Sequence, residues 1–473
     1  MESWATFGGD LHLDLSAGRA RGLGLRAALE DALRTAARDG RLAAGTRLPS
    51  SRVLAADLGI ARNTVAEAYA LLTAEGWMTA RQGSGTVVAE RGAASVSAAP
   101  RTPQRTPAVR FDLMPGRPDL TLFPRSAWLA AARRALAVAP HEALGYSDPR
   151  GRIELRRALA DYLARVRGVR TDPERILICA GYTQGLALLC GALRERGVGA
   201  VAVEEYGLPP QQAVITAAGL ATVPLPLDGH GARTDLLGGL DVGAVVLTSA
   251  HQFPTGVPLR ANRRAAAVDW ARETGGIVIE DDYDGEFRYD RQPVGAMQAL
   301  DPERVVYAGT ASKSLAPGLR LGWLALPAAL VEPVMRQKEL ADGQSGAMDQ
   351  LTLAELITSG GFDRHVRRCR LHYRRRRDQL IGTLAERAPE VRVTGIAAGL
   401  HAVLELPPGS LTDGELLRHA GWLGLSLNTM SGCRADSAEP VPDAPSALVI
   451  GYGTPPERAW PGALEALCTL ATL

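Results

Sequence analysis

Short β-rich runs alternate with helix-compatible stretches through the middle of this chain, and this alternation most restricts its fold. The runs are RILICAG, GAVAVEE, GAVVLTS, GIVIEDDY and VVYAGT, starting at residues 175, 199, 243, 276 and 305. This order is typical of a mainly parallel sheet with helices on its faces. Beyond about residue 340 the helical stretches lengthen and the strands shorten, as in VRVTG and HAVLEL, which indicates a smaller α+β domain.

A separate unit precedes this α/β region. Residues 91–109 are rich in Ala, Pro, Ser, Thr and Arg and lack hydrophobic periodicity, so we interpret them as a linker. Before them, three helical stretches and a hairpin-like WMTARQGSGTVVA predict a winged helix-turn-helix. The predicted organisation is a helix-turn-helix domain at 1–90, a linker at 91–109, a large α/β domain at 110–340 and a small α+β domain at 341–473.

The second and third helices of the N-terminal unit have the features of a DNA-reading pair. Pro49 and Ser50 are expected to start the second helix and Gly59 to end it. Residues 41–64 carry four arginines against one aspartate, whereas the net charge of the whole chain, +2, does not by itself argue for nucleic acid. A protein-interaction module whose arginines are merely solvated is the alternative.

The stretch from LPSSR, at residue 48, to RQGSGT, ending at residue 86, closely resembles the DNA-binding domain of the GntR regulators. The resemblance implies a double-stranded DNA operator as partner. In such a domain the second helix and the hairpin tip position phosphates, and the start of the third helix reads bases. The implied DNA contacts are Arg52, Arg62, Asn63, Thr64, Gln82 and Gly83.

Only two of the 53 basic residues are lysines, Lys313 and Lys338. Arginine stays protonated, whereas lysine can lose its proton and condense with an aldehyde to form a Schiff base. Lys313 lies in GTASKSLAPGLRLGW, where Thr310, Ser312 and Arg320 offer hydroxyls and a guanidinium suited to a phosphate. A surface lysine without a special role is the alternative, so the surrounding motifs have to decide.

Two further motifs fit a phosphorylated aldehyde cofactor. In AGYTQG a helix is expected to begin, so that Gly181, Tyr182 and Thr183 would offer backbone amides to a phosphate. In VIEDDYDGEF an acid at a strand end could hold a pyridine nitrogen protonated. An acidic loop or a metal site is the alternative for this acidic run. No metal site is expected from the spacing of the histidines and cysteines.

Taken in order, GYTQG, HQFPTG, EDDY and TASKSLAPGLRLGW resemble the fold-type I, aminotransferase-like pyridoxal phosphate proteins over residues 110–473. The resemblance implies that Lys313 holds pyridoxal 5'-phosphate as an aldimine, that Asp281 contacts the ring nitrogen and that Tyr283 contacts the ring hydroxyl. Tyr206 is the candidate for stacking on the ring, although Leu208 aligns with the usual aromatic position. With its N-terminal domain, the chain resembles the MocR/GabR-type regulators, which implies a homodimer.

Two positions depart from the aminotransferase pattern. Phe253 replaces an asparagine that commonly contacts the ring hydroxyl, so His251 or Gln252 would have to substitute. Val449, in ALVIGYG, stands where these enzymes have the arginine that binds the substrate carboxylate. A buried carboxylate without a guanidinium partner is costly, which argues against a conventional α-amino acid substrate. Arg150, Arg152 or His401 could compensate.

We therefore expect a cytoplasmic transcription regulator rather than an enzyme. The absence of a basic, apolar leader argues against secretion, and no uninterrupted apolar stretch predicts a membrane span. The expected effector is pyridoxal phosphate or an amino compound. The chain is similar to the PdxR-type members, which control vitamin B6 synthesis genes. The alternatives are an active aminotransferase with an appended DNA-binding domain, and a DNA-binding protein whose second domain only dimerises.

Overall fold

The computed structural model describes residues 13, 15, 21–81, 85–90, 109–289, 294–435, 438 and 446–473. Contacts divide the chain into two compact units, Met1–Gln104 and Arg105–Leu473. Of the predicted linker, only Val109 lies within the described residues. The predicted boundary between residues 340 and 341 stays a prediction.

The N-terminal unit consists of three helices followed by an antiparallel β-hairpin. Its elements are α1 (Leu25–Arg38), α2 (Ser51–Leu58), α3 (Arg62–Ala74), β1 (Met78–Arg81) and β2 (Gly85–Val88). Ser50 Oγ accepts a hydrogen bond from the backbone N–H of Val53 at 3.3 Å, and Gly59 ends α2 in the left-handed conformation with φ 63°. Both predicted ends of this helix are therefore confirmed, as is the winged helix-turn-helix fold.

Apolar side chains from all three helices and both strands form the core of this unit. Leu29 and Leu33 of α1 pack with Val65 and Leu72 of α3, and Met78 of β1 closes the cluster. Burying such side chains contributes about 1.5–3 kcal/mol each. This core holds α2 and α3 in place and leaves their polar faces exposed.

A seven-stranded sheet forms the centre of the second unit. Its strands are β4 (Ile176–Cys179), β5 (Ala200–Glu204), β6 (Ala221–Leu225), β9 (Ala244–Leu247), β10 (Ile277–Asp281), β11 (Val305–Thr310) and β12 (Gly322–Ala325). Their order across the sheet is β4-β12-β11-β10-β9-β5-β6, and only β12 runs antiparallel to its neighbours. The prediction of a mainly parallel α/β sheet is confirmed, and all five predicted runs contain strands.

Helices surround this sheet and continue into a smaller four-stranded sheet. The helices are α4 (Arg125–Val138), α5 (Ile153–Arg167), α6 (Tyr182–Glu195), α7 (Pro209–Ala217), α8 (Ala261–Thr274), α9 (Ala328–Ala341), α10 (Ala347–Thr358), α11 (Gly361–Arg387), α12 (Asp413–Trp422) and α13 (Trp460–Ala471). The smaller sheet has the order β13-β14-β17-β16, with β13 (Arg392–Thr394), β14 (His401–Glu405), β16 (Asn428–Thr429) and β17 (Ala447–Gly451). Short pairs complete the unit: β7 (Leu227–Asp228) with β8 (Gly231–Ala232), and β3 (Phe111–Asp112) with β15 (Leu425–Ser426).

The parallel strands bring their carboxyl ends to one edge of the large sheet. Glu204 ends β5, Asp281 ends β10 and Thr310 ends β11, so these polar residues lie along that edge. In open α/β sheets ligands bind outside the carboxyl ends of the strands. The fold therefore places the predicted cofactor motifs together. Among the described helices, none combines the length and the apolar character that crossing a membrane requires.

Candidate functional site

Lys313 lies three residues after the end of β11, and its amine faces the start of the second unit. The Nζ atom donates a hydrogen bond to the carbonyl oxygen of Gly116 at 2.6 Å. Loss of hydration lowers the pKa of the Lys313 amine, and the carboxylates of Asp281 and Asp284 oppose that effect. A lysine with a lowered pKa is more readily neutral and nucleophilic. No residue around Gly116 was predicted, since nothing in the sequence linked it to a lysine 197 residues away.

Two neighbouring aspartates at the end of β10 have different partners. Asp282 is held by the guanidinium of Arg167, at 2.7 and 3.0 Å, and by the hydroxyl of Tyr307 at 2.7 Å. Asp281 has other partners: Gln211 Nε2 donates to its Oδ2 at 2.8 Å, and its buried Oδ1 has no hydrogen-bond partner among the described residues. Burial raises the pKa of Asp281 to about 7. Of the two aspartates, Asp281 is thus the one whose carboxylate has an oxygen available to accept a hydrogen bond from a ligand.

Tyr283 lies beside His251, two residues after the end of β10. Its hydroxyl donates to the backbone carbonyl of His251 at 3.0 Å and lies 3.2 Å from His251 Nδ1. His251 Nδ1 is also 2.9 Å from Asp284 Oδ2. Of the two residues proposed to substitute for the missing asparagine, His251 therefore contacts Tyr283. The amide of Gln252 donates instead to the backbone carbonyl of Tyr206 at 2.8 Å.

A cavity at this edge of the sheet is lined by Glu204, Leu208, Gln211, Phe253, Asp281 and Tyr283. Leu208 is one of the lining residues, and the ring of Tyr206 packs against the guanidinium of Arg434, 5.8 Å from the ring centroid. Stacking of Tyr206 on a bound ring stays a prediction. Gln211 and Glu204 were missed, since neither belongs to a motif that singles it out. Burial raises the pKa of Glu204 to about 7.

The residues predicted to bind phosphate gather around the start of α6. Gly181 precedes this helix with φ 77°, and a Cβ at that position would lie 2.9 Å from the guanidinium of Arg320. The guanidinium itself donates to the carbonyl oxygen of Ala180. On the other side, Thr310 pairs in register with Gly322, where a Cβ would lie 2.9 Å from the backbone of Gly181.

The remaining residues that were predicted to bind phosphate lie in two places, in this loop and toward Asp281. Thr310 Oγ1 donates to Ser312 Oγ at 2.9 Å, and the side chain of Thr183 is exposed. The hydroxyl of Tyr182 is buried without a hydrogen-bond partner. After burial, the charge of Asp281 does most to raise the pKa of that hydroxyl, so the Tyr182 side chain lies toward Asp281. The structure thus brings Gly181, Arg320, Thr310 and Ser312 together.

Val449 is fully buried in β17, opposite Val403 of β14 and Asn428 of β16. It packs in one apolar cluster with Phe253 and Tyr283. The arginines that were considered as substitutes are occupied elsewhere. Arg150 pairs with Asp148 and Glu174, both at 2.7 Å, and Arg152 pairs with Glu154 at 2.8 Å. His401, the third candidate, lies beside His251, with the ring centroids 4.9 Å apart.

These residues fit a cofactor that carries an aldehyde, a protonated ring nitrogen and a phosphate. The amine of Lys313 suits the aldehyde, and the unpaired Oδ1 of Asp281 is an acceptor for the ring N–H. The amides at the start of α6 and the Arg320 guanidinium suit the phosphate. Buried polar atoms without partners, here Asp281 Oδ1 and the Tyr182 hydroxyl, are rare unless a bound group completes them.

The candidate DNA-binding side chains lie on the surface of the N-terminal unit. Arg52 of α2 is exposed, as are Arg62 and Asn63 at the start of α3, whereas Thr64 is half-buried. Gln82 and Gly83 lie outside the described residues. Arg47 is exposed as well, and its guanidinium lies against Gly85 at the start of β2. Sequence reasoning counted Arg47 only as a charge, because its contact with the hairpin depends on the fold.

Two family models match this chain in order. The model described as bacterial regulatory proteins, gntR family, matches residues 25–88. The model described as aminotransferase class I and II matches residues 117–420. The first of these ranges covers the three helices and the hairpin, and the second covers the cavity residues.

Two named regulators are similar to this chain over most of its length. The chain is 34% identical to the HTH-type pyridoxine biosynthesis transcriptional regulator PdxR of Corynebacterium glutamicum, over 80% of this chain and 82% of that one. It is 31% identical to the probable rhizopine catabolism regulatory protein MocR of Rhizobium meliloti, over 85% and 86%. Among solved structures, an archaeal alanine:glyoxylate aminotransferase superposes with a TM-score of 0.69 at 26% identity, over 76% of this chain and 90% of that one.

Proposed function

Because the chain belongs to the MocR/GabR-type subfamily of GntR transcription regulators, we propose that it binds pyridoxal 5'-phosphate at Lys313 and that this binding controls its affinity for DNA. When bound, the cofactor supplies an aldehyde that bonds covalently to a primary amine and a ring that withdraws electrons. The N-terminal domain binds a double-stranded operator. Binding of the cofactor to the second unit then shifts the equilibrium between arrangements of the protein that bind DNA with different affinity.

One observation carries this proposal: among the described residues, the carboxylate of Asp281 at the end of β10 keeps one buried oxygen without a hydrogen-bond partner. Lys313 would hold the aldehyde carbon, Asp281 would accept from the ring nitrogen and Tyr283 would contact the ring hydroxyl. The residues that would hold the phosphate are Gly181, Tyr182 and Thr183 through their amides, Arg320 through its guanidinium, and Thr310 and Ser312 through their hydroxyls.

We infer that pyridoxal phosphate is itself the effector and that the regulated genes serve vitamin B6 synthesis. The support is the pair of Val449 and Lys313: the site keeps the amine that would hold the cofactor, and the buried Val449 stands where the aminotransferase pattern has the arginine for an amino acid. A relative named as a pyridoxine biosynthesis regulator agrees with this inference. A ligand shifts an equilibrium only through its different affinities for the two states, so the cofactor must bind one DNA-binding arrangement more tightly.

An active aminotransferase with an appended DNA-binding domain is the second candidate. The observation that favours it is the intact set of Lys313, Asp281 and Tyr283, which turnover would need as much as sensing does. Against it stand the apolar Val449 and the pairing of Arg150 and Arg152 with carboxylates. Without an oriented carboxylate, positioning of an amino acid for reaction is lost.

We also propose that the protein acts as a homodimer through the surface around α4. Large apolar side chains are exposed there over a short stretch of chain: Leu129, Leu136, Val138, Leu144 and Tyr146. Monomeric proteins rarely leave such a patch open. A second copy of the chain would cover this patch, and the dimer would then present two DNA-binding domains to a two-fold operator. Light scattering should give a dimer for the natural protein and a monomer after Leu129→Glu with Val138→Glu.

The test of the proposed function is a gel-shift titration on the DNA upstream of the protein's own gene. Pyridoxal phosphate is added over a range of concentrations to the natural protein and to Lys313→Ala. We expect the affinity for DNA to change with the cofactor in the natural protein and to stay constant in the variant. An affinity that ignores pyridoxal phosphate and responds to an amino acid would contradict the proposal and favour the aminotransferase-like alternative.

A further inference from the structure

The protonation of the His401 ring follows from its hydrogen bond. Its Nε2 lies 3.0 Å from the carbonyl oxygen of Pro254, and a carbonyl only accepts, so Nε2 carries the proton. Within the part of the chain that the structure describes, its buried Nδ1 has no hydrogen-bond partner. Burial lowers the pKa of His401 to about 3, so the ring is neutral. His401 Nδ1 is therefore a bare, buried acceptor.

This acceptor belongs to the same wall as Val449. In the smaller sheet His401 lies opposite Gly451 and Val403 lies opposite Val449, so these residues share one face. That face meets the ring of Phe253, whose centroid is 5.0 Å from the His401 ring. Phe253 also lines the cavity that Asp281 and Tyr283 line, so His401 lies next to that cavity. Around the His401 ring this wall combines the apolar side chains of Val403, Val449 and Phe253 with an Nδ1 that offers only a lone pair.

A carboxylate would be poorly matched to this wall. It brings only acceptor atoms, and His401 Nδ1 offers none of the hydrogen that such atoms need. Arg117, which also acts on the Lys313 pKa, is paired with Asp112 at 2.7 Å and is more than half exposed. A hydroxyl or an amide N–H on the ligand would instead donate to Nδ1 and leave no buried polar atom unpaired.

We propose that the site accepts primary amines that carry a neutral hydrogen-bond donor next to the amine, such as amino alcohols, and rejects α-amino acids, with His401 Nδ1 as the acceptor that selects them. The inference rests on the proposed function, because the ligand exchanges with Lys313 on the cofactor. In this exchange the ligand nitrogen would bond to the aldehyde carbon and the bond from that carbon to the Lys313 nitrogen would break, while the two hydrogens that the ligand amine loses pass to the lysine nitrogen. No oxidant or reductant is needed.

The test compares L-alaninol with L-alanine, which differ only in a hydroxymethyl group against a carboxylate. Protein loaded with pyridoxal phosphate is titrated with each compound, and its visible absorbance is recorded. We expect alaninol to change the spectrum at concentrations at least about tenfold lower than alanine, the discrimination that one buried hydrogen bond gives. Alaninamide, a neutral amide N–H donor, should behave like alaninol.

Variants identify the residue that selects. His401→Phe keeps an aromatic ring and removes the acceptor, so the alaninol concentration needed should rise by about tenfold. His401→Asn keeps an acceptor oxygen and should restore part of the response. His230→Phe changes an exposed histidine and serves as the control. Val449→Arg should lower the alanine concentration that is needed.

Each contrary result has its own meaning. If the natural protein gains no visible absorbance with pyridoxal phosphate, the proposed function and this inference both fail. If absorbance appears but alanine acts as strongly as alaninol, or if His401→Phe leaves the alaninol response unchanged, only the inference fails. It also fails if chelators abolish the alaninol response and added Zn²⁺ restores it, because His251, Asp284 and His401 would then be holding a metal ion.

Discussion

Gln211 donates a hydrogen bond from Nε2 to Oδ2 of Asp281 at 2.8 Å, and this contact leaves the second oxygen of the carboxylate buried and unpaired. The glutamine comes from α7 and the aspartate from the end of β10, which are 70 residues apart in the chain. The contact orients the carboxylate before any ligand arrives. It also fixes which carboxylate oxygen is available to a ligand. The effect of Asp281 on the pH dependence of stability therefore tests the site directly.

Asp281→Asn should change how stability depends on pH in the cofactor-free protein. Burial raises the pKa of Asp281 to about 7, whereas the unfolded value is about 3.9. Between these values the folded protein holds a proton that the unfolded chain has lost, so the free energy of unfolding falls as pH rises. Asparagine does not titrate, so the free energy of unfolding of the variant does not fall with pH for this reason. We expect the variant to gain about 3 kcal/mol relative to the natural protein between pH 5 and pH 8.

Urea unfolding at several pH values measures this difference. The exposed Asp241→Asn is the matched control and should show no such trend. A stability difference that stays constant with pH for Asp281→Asn would mean that this carboxylate is ionised in the folded protein throughout.

Lys313→Ala should abolish the visible absorbance that pyridoxal phosphate gives to the natural protein. The chain offers a clear readout, because Lys338 is the only other lysine and is fully buried in contact with Asp342. After reduction with borohydride, mass spectrometry should find the cofactor on the peptide that contains Lys313. Because loss of hydration lowers the pKa of Lys313, attachment should persist to lower pH than with an ordinary lysine. Label on Lys338 or on the N-terminus alone would refute the assignment.

Lys338→Met should destabilise the protein and weaken pyridoxal phosphate binding together. Lys338 Nζ bonds to Asp342 at 2.5 and 2.7 Å and to Ser345 at 2.9 Å. Asp342 in turn holds Gln184, which accepts from the backbone N–H of Ala180, just before the predicted phosphate loop. Removing one partner of such a pair costs about 3 kcal/mol. Lys338→Met with Asp342→Asn should recover part of that loss. Unfolding and cofactor titrations that show no change would rule out this link.

Arg62→Ala should weaken operator binding by about 1–3 kcal/mol and relax the preference for one base position. The reason is that Arg62 stands exposed at the start of α3, the part of a recognition helix that meets base edges. Fluorescence anisotropy with the operator and with single-base variants measures both effects. Arg26→Ala is the control, because Arg26 already pairs with Glu30 and Glu67. Equal losses on specific and unrelated DNA would instead place Arg62 on the phosphates.

Arg52→Ala should weaken binding to all DNA sequences about equally. Arg52 is exposed on α2, the helix that crosses the backbone in this type of domain. Loss of one phosphate contact should reduce the slope of log affinity against log salt by about 1. Measuring affinity at several salt concentrations decides this, and an unchanged slope would exclude a phosphate contact at Arg52.

Much of this protein could be predicted from its sequence, because the relevant signals are local. Strand and helix periodicities predicted the α/β sheet, and Ser50 and Gly59 predicted both ends of α2, since capping and left-handed glycine are properties of a few neighbouring residues. The rarity of lysine drew attention to Lys313 for a chemical reason that holds in any fold.

The tertiary structure alone decided which side chains remain available for binding. Asp281 and Asp282 are adjacent and chemically alike, but Arg167 and Tyr307 occupy one and leave the other open. Leu208 lines the cavity while the ring of Tyr206 packs against Arg434, and Arg150 and Arg152 are paired with carboxylates. The free acceptor of His401 is set by a carbonyl 147 residues away. Local sequence determines the conformation of a segment and its chemistry, whereas partners between distant residues depend on how the segments pack.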